Sequence, residues 1–120
     1  MSRILIVEDD EPVRALAARA LERDGHVVET AEDGEMGLER IRASNGAYDL
    51  VVSDIRMPAM DGIEMAKAAA ALFPGLRIML ITGYADMREH AEELSSIILE
   101  ILPKPFTLDQ IRTKVRQHAS

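Results

Sequence analysis

Short apolar runs alternate with amphipathic segments along this chain, and that alternation limits the fold more than any other feature. The five runs, each interpreted as a β-strand, span residues 3–7, 26–30, 49–53, 77–81 and about 97–102. Strands separated by helices in this way run parallel and are joined by right-handed crossovers. The first, third and fourth runs are almost wholly apolar, as is typical of central strands covered on both faces, whereas the second suits an edge. The pattern predicts an α/β fold with one parallel five-stranded sheet.

The segments between the runs predict five helices. The first follows the i, i+3, i+4, i+7 spacing of an amphipathic helix, and Asp10 is expected to cap it. The second, at about 34–44 with Asp33 as its cap, and the fourth, at about 86–94, have weaker patterns. The expected inward-facing residues are Val13, Leu16, Ala17, Ala20 and Leu21 in the first helix, Ile63, Ala66, Ala70 and Phe73 in the third, and Ile111 and Val115 in the last. Asp61-Gly62 is interpreted as a cap and tight turn, and Thr107 to Gln110 as a capping box.

Size and composition exclude several classes of protein. The 120 residues suit one domain, and the 48% of apolar residues, almost without aromatics, predict an aliphatic core. The absence of Cys excludes disulfides, thiol catalysis and thiolate metal sites. A net charge of −7 without a stripe of basic residues disfavours nucleic acid as a partner. No apolar run is long enough for a membrane span or a signal peptide, so we expect a cytoplasmic protein with no membrane partner.

Polar residues follow four of the predicted strands where each strand ends. They are Glu8, Asp9 and Asp10 after the first strand, Asp54 after the third, Thr82 after the fourth and Lys104 after the fifth. Open parallel sheets place their sites at this carboxyl edge. Carboxylates crowded there need a cation, and oxygen ligands without nearby Cys or His indicate Mg²⁺ or a similar ion. Carboxylates, a metal, a hydroxyl and an ammonium group together suit phosphoryl chemistry.

This ordered set of motifs resembles the response-regulator receiver domain over the whole chain. The matching residues are Glu8-Asp9, the run Asp54-Ile55-Arg56-Met57-Pro58-Ala59-Met60-Asp61-Gly62, then Thr82, and finally Lys104-Pro105-Phe106. The resemblance implies a flavodoxin-like, doubly wound sheet with strand order 2-1-3-4-5. It also implies a single receiver domain over residues 1–120 with no output domain.

The resemblance also implies a role for each site residue. Asp54 would accept a phosphoryl group from a histidine kinase or histidine phosphotransfer protein, Thr82 would bind a phosphoryl oxygen, and Lys104 would pair with the phosphoryl group. Mg²⁺ would be held directly by Asp9, Asp54 and the main-chain carbonyl of Arg56, and through water by Glu8. The Lys104–Pro105 peptide bond is expected to be cis. The chain would not be an enzyme on a separate substrate, since its chemistry would be its own phosphorylation and dephosphorylation.

Some positions depart from the family pattern. Ile101 stands where many receivers carry Tyr or Phe, so an aromatic switch is not expected. Gly83 replaces the commoner Ala and gives the loop after Thr82 more backbone freedom. The output is therefore predicted to pass through residues 83–102, with a binding face formed by the fourth helix, the last strand and the last helix.

The output itself is predicted from a finer resemblance. The stretch Ile78–Ala85, the non-aromatic position 101 and the run Pro103–Leu108 look most like the CpdR group of receivers. In that group the unphosphorylated form primes a cell-cycle protease, so the downstream protein target would be a protease. The alternatives are a motility regulator similar to CheY, a phosphorelay intermediate, or a binding module independent of phosphorylation.

Other classes that share the topology or the strand-end Asp fit less well. A flavin-binding module needs a phosphate loop rich in Ser, Thr and Gly after the first strand, where this chain has three acids. A phosphatase of the haloacid-dehalogenase type wants a second acid two residues after Asp54, and that residue is Arg56. A metal enzyme acting on a separate substrate would need an insertion long enough to build a pocket.

Overall fold

Five parallel strands form one sheet in the order β2-β1-β3-β4-β5, as the resemblance implies. The computed structural model describes residues 2–82, 97–103 and 106–119, with only the backbone of Glu100 and Pro103. The strands are β1 Arg3–Val7, β2 Val27–Ala31, β3 Leu50–Asp54, β4 Ile78–Thr82 and β5 Glu100–Pro103. All five predicted strands are confirmed, although the last begins about three residues later than the apolar run 97–102 suggested.

Four helices are described, and they cover both faces of the sheet. They are α1 Glu11–Arg23, α2 Gly34–Ala43, α3 Gly62–Leu72 and α4 Leu108–Ala119. The helix predicted at about 86–94 lies outside the described residues. None of the described helices is long and apolar enough to cross a membrane.

The core consists of two aliphatic layers, one on each face of the sheet. Alternation along β1 sends Leu5 and Val7 into the layer under α2 and α3, and Ile4 and Ile6 into the layer under α1 and α4. Every residue of β3 and β4 is buried, whereas β2 is largely half-exposed at the sheet's edge. This matches the predicted division between central and edge strands.

The expected inner faces of α1 and α3 need correction. Leu16 is 52% exposed, since the buried face of α1 is formed by Ala17, Ala20 and Leu21. Leu16 lies instead beside Leu108 in a groove between α1 and α4. In α3 Ala69 is fully buried whereas Ala70 is only partly buried, and Phe73, the residue that ends α3, is partly buried against the core. Helix spacing gives the width of an apolar face, but the neighbouring elements decide which part of it is covered.

The predicted helix caps are confirmed. Asp10, Asp33 and Asp61 each accept a hydrogen bond from the backbone N–H three residues later, at 3.2, 2.8 and 2.8 Å. Thr107 and Gln110 bond reciprocally as a capping box, at 2.7 and 3.1 Å. Asp10, Asp33 and Thr107 follow the carboxyl ends of β1, β2 and β5 closely, and Asp61 ends the loop that follows β3, so the helices begin on the side of the sheet where the predicted site lies.

Candidate functional site

The acidic residues of the predicted site meet because β1 and β3 are neighbours. Val7 is in register with Ser53, so the residues that follow them emerge side by side at the carboxyl edge of the sheet. One carboxylate oxygen from each of Glu8, Asp9 and Asp54 lies within 4.8 Å of the others. The structure thus brings together the three acids that the strand-end pattern predicted.

The three acids differ in exposure. Asp54 is 6% exposed and Glu8 is 4% exposed, whereas Asp9 is exposed to solvent. Asp54 is the last residue of the central strand β3, with apolar layers on both sides. The site therefore has a buried floor, formed by Asp54 and Glu8, and a side that is open to solvent at Asp9.

Thr82 lies on the next strand at the same edge. Asp54 is in register with Ile81, so Thr82 lies one residue further along β4 than Asp54's partner, and it is fully buried. Lys104, together with the Lys104–Pro105 bond, lies outside the described residues. Its predicted role stays a prediction, although β5 ends at Pro103 opposite Thr82 and brings the chain to this edge.

Electrostatics at Glu8 are unfavourable for its ionised form. Burial, and then the negative charge of Asp54, raise the pKa of Glu8 to about 7. Oε2 of Glu8 accepts a hydrogen bond from the backbone N–H of Asp10 at 3.3 Å, which opposes part of this shift. The other oxygen, Oε1, is buried and accepts no hydrogen bond from any described residue. A cation at this point would stabilise the ionised carboxylates directly.

The donor set fits Mg²⁺. It consists of carboxylate oxygens from three residues, with no histidine or cysteine, and hard oxygen donors of this kind are the ligands Mg²⁺ takes in proteins. Arg56 is exposed and lies two residues after Asp54, in the loop that leaves the site. The participation of its main-chain carbonyl remains a prediction.

Two local contacts orient the site. The backbone N–H of Ile55 donates to Oδ1 of Asp54 at 2.8 Å and so fixes the direction of that carboxylate. A guanidinium nitrogen of Arg14 donates to the carbonyl oxygen of Glu8 at 2.9 Å and anchors the acidic turn to α1. Sequence reasoning missed Arg14. The available signal was its position in the first turn of a helix capped by Asp10, next to the acids.

Comparisons with known proteins agree on one family. The family model for the response regulator receiver domain matches residues 4–116. The response regulator receiver protein CpdR of Brucella abortus is 35% identical over 98% of this chain and 96% of its own length. The sensor kinase CckA of the same organism is 34% identical over 95% of this chain, which corresponds to 12% of the kinase.

The fold is also similar to that of a solved structure. The response regulator TrrA of Thermotoga maritima, in complex with Mg²⁺-BeF, is 34% identical with a TM-score of 0.85, covering 98% of each chain. Motifs, strand order, acidic cluster and relatives agree: this chain belongs to the response regulator receiver domain family.

Proposed function

We propose that this protein is a phosphorylation-controlled switch in a two-component phosphorelay. Asp54 accepts a phosphoryl group from a histidine kinase or histidine phosphotransfer protein in a Mg²⁺-dependent step, and the modification changes which protein is bound. The observation that carries this proposal is the convergence of Glu8, Asp9 and Asp54 within 4.8 Å at the carboxyl edge of the sheet. Since its proposed phosphodonor is a signalling kinase or its relay protein, we place the switch in the cytoplasm.

The phosphoryl transfer forms one bond and breaks one bond. A carboxylate oxygen of Asp54 attacks phosphorus, the P–N bond of the donor's phosphohistidine breaks, and the imidazole leaves. Mg²⁺ held by Glu8, Asp9 and Asp54 would supply the charge neutralisation that lets a carboxylate approach an anionic phosphoryl group. The protein's own contribution is positional, because the N–H of Ile55 holds Asp54 and the buried sheet keeps it fixed. Thr82 and Lys104 are proposed to bind the transferred group.

The assignment of Asp54 can be tested with acetyl phosphate and Mg²⁺. Intact mass should show one added phosphoryl group on the wild-type chain and none on Asp54→Asn. Asp61→Asn is a matched control, since it removes a carboxylate from the same loop and Asn caps a helix as well as Asp. The control should be labelled like wild type. Full labelling of Asp54→Asn would refute the assignment.

The output is proposed to be control of regulated proteolysis. This rests on the CpdR-like sequence features and on the 35% identity to CpdR over nearly the whole of both chains. The unphosphorylated form is then the one that engages the protease, and phosphorylation releases it.

A pull-down separates this output from the alternatives. Wild type and Asp54→Ala should retain a protease subunit, and wild type with beryllofluoride, which mimics the phosphoryl group, should lose it. Retention of a flagellar motor component would favour the motility regulator. Equal binding in all three samples would favour a module that does not depend on phosphorylation.

A further inference from the structure

We propose that Gly34 is a positioning residue for the phosphorylation site. It is the first residue of α2, and its backbone N–H bonds to Met60 in the loop of residues 55–61 that follows Asp54. The inference rests on the proposed function, in that Asp54 is taken as the phosphoacceptor, and adds a residue on a different element that sets the geometry of this loop.

Two observations at Gly34 carry the inference. Its backbone N–H donates to the carbonyl oxygen of Met60 at 3.0 Å. A Cβ added at Gly34 would overlap that oxygen and would lie 2.8 Å from the Met60 carbonyl carbon and 3.1 Å from the carbonyl oxygen of Asp61. All three are backbone atoms, so no side-chain rotation relieves the clash. Any larger residue at position 34 must displace the loop.

The loop is held in a conformation that it does not favour by itself. Ala59 has φ of +67°, in the left-handed region that residues with a Cβ rarely adopt. Such a conformation persists where surrounding contacts determine it. The contact between Gly34 and Met60, one residue after Ala59, is a contact of this kind, and a second one lies at the end of the loop, where Gly62 donates to Ile55 at 2.7 Å.

Displacement of this loop reaches the chemistry at its other end. The loop contains Arg56, whose carbonyl is the expected metal ligand, and begins at Ile55, whose N–H orients Asp54. A misplacement of about 1 Å can lower a rate by on the order of 100-fold. We therefore expect Gly34→Ala to weaken Mg²⁺ binding and to slow phosphorylation by acetyl phosphate, each by about 10-fold or more.

The chain offers two matched Gly→Ala controls. Gly37 lies on the same helix, but a Cβ there would meet the side chains of Met65 at 2.8 Å and Val7 at 2.9 Å. Gly37→Ala therefore strains the core without touching the loop. At Gly75 an added Cβ would meet nothing within 4 Å, so Gly75→Ala tests the substitution in open space.

The experiment measures Mg²⁺ Kd by calorimetry, the rate with acetyl phosphate, and stability by urea unfolding. Gly34→Ala should lose affinity and rate in its folded fraction. Gly37→Ala should lose stability and keep the wild-type Kd, and Gly75→Ala should behave as wild type. Should Gly34→Ala not fold, the double variant with Ala59→Gly gives the loop freedom to yield, and its Kd is compared with that of Ala59→Gly alone.

The proposal is overturned by a folded Gly34→Ala, or double variant, whose Kd and rate match its reference. It is equally overturned if Gly37→Ala loses affinity as much as Gly34→Ala does, because the effect would then be general destabilisation. A wild-type chain that neither binds Mg²⁺ nor accepts a phosphoryl group would instead refute the proposed function itself.

Discussion

Carboxylates on the edge strand β2 and at the carboxyl edge of the sheet have opposite electrostatic environments. On the edge strand β2, in register with Leu5 in the middle of β1, Glu29 accepts two hydrogen bonds from Arg3, at 2.8 and 3.0 Å, and one from the hydroxyl of Tyr48 at 3.0 Å. Where β1 ends, Glu8 lies beside Asp54 and Asp9. The arginine lowers the pKa of Glu29, whereas burial and the charge of Asp54 raise the pKa of Glu8.

The same contrast appears at a second pair. Arg112 binds Asp24 at 2.6 and 3.0 Å and lowers the pKa of that carboxyl, again away from the site. Carboxylates that the fold pairs with arginine favour the folded state. Carboxylates that the fold crowds together work against it until a cation binds. The carboxylates that are paired with arginine, on β2 and at the end of α1, are therefore separate from the crowded carboxylates at the carboxyl edge of the sheet.

The largest expected effect is on the response to metal. Mg²⁺ at 100 times its Kd should stabilise the wild-type chain by about 2.7 kcal/mol. Asp9→Ala should abolish the rise in melting temperature, whereas Asp10→Asn, which keeps the helix cap beside it, should preserve it. Thermal unfolding with Mg²⁺ and with EDTA measures both. If Mg²⁺ raised the melting temperature of Asp9→Ala as much as that of the wild-type chain, the ion would bind elsewhere, and the crowded carboxylates would not be the ligand-binding charges.

A smaller effect is expected from pH in the metal-free protein. Because the pKa of Glu8 is raised from 4.5 to about 7, the folded state keeps a proton that the unfolded state has lost. Stability should therefore fall as pH rises through this window; the full shift corresponds to about 3 kcal/mol, which solvent at the open side of the site reduces to on the order of 2 kcal/mol. Glu8→Gln should remove most of the fall in urea unfolding between pH 4.5 and 8 with EDTA. If the free energy of unfolding of the wild-type chain changed with pH in parallel with that of Glu8→Gln, the crowded carboxylates would not raise the pKa of Glu8.

A third effect is expected on the exchange of backbone amide hydrogens with deuterium. Beryllofluoride should change amide protection mainly in residues 83–102, by about 1 kcal/mol or roughly fivefold. The amino ends of the strands, around Arg3 and Asp49, should stay unchanged. Thr82→Ala should still accept a phosphoryl group and lose most of the change. Changes concentrated in α1 and α2, with 83–102 silent, would show that the signal takes another route.

The smallest effect is expected at Glu29. Its pKa lies below the ordinary 4.5, so its contribution is present above that pH and is lost as pH falls through the lowered pKa. Glu29→Gln should flatten the acid side of the stability profile below pH 4.5, by less than the change at Glu8, because the pair is half-exposed and salt screens it. Repeating the titration in high salt should shrink the difference further. An acid slope unaffected by the substitution would mean that arginine pairing contributes nothing here.

The features that the sequence predicted correctly are those that depend on residues close together in the chain. Strand ends and helix caps are set by residues close in sequence, so the acids after β1 and β3 and the caps at Asp10, Asp33 and Asp61 could be predicted. Neighbouring parallel strands then bring Glu8 and Asp54 together without further information.

Long-range contacts explain what the sequence did not predict. Asp33-Gly34 looks like an ordinary helix start, and the need for glycine there comes from Met60, 26 residues away. The exposure of Leu16 depends on how α4 packs beside α1, and the pairing of Arg3 with Glu29 depends on two strands meeting. The placement of Lys104 lies outside the described residues and stays a prediction.

The first and last described residues of the chain meet at the end of the sheet away from the acids. The buried hydroxyl of Ser2 donates to the carbonyl oxygen of Ala119 at 2.9 Å. Adjacent termini let a domain be inserted into a larger protein, or circularly permuted, with little disturbance to its interior. A domain fused at either terminus would be attached at the end of the sheet opposite Glu8, Asp9 and Asp54, leaving those acids accessible. This position of the termini is compatible with fusion to another domain at either end.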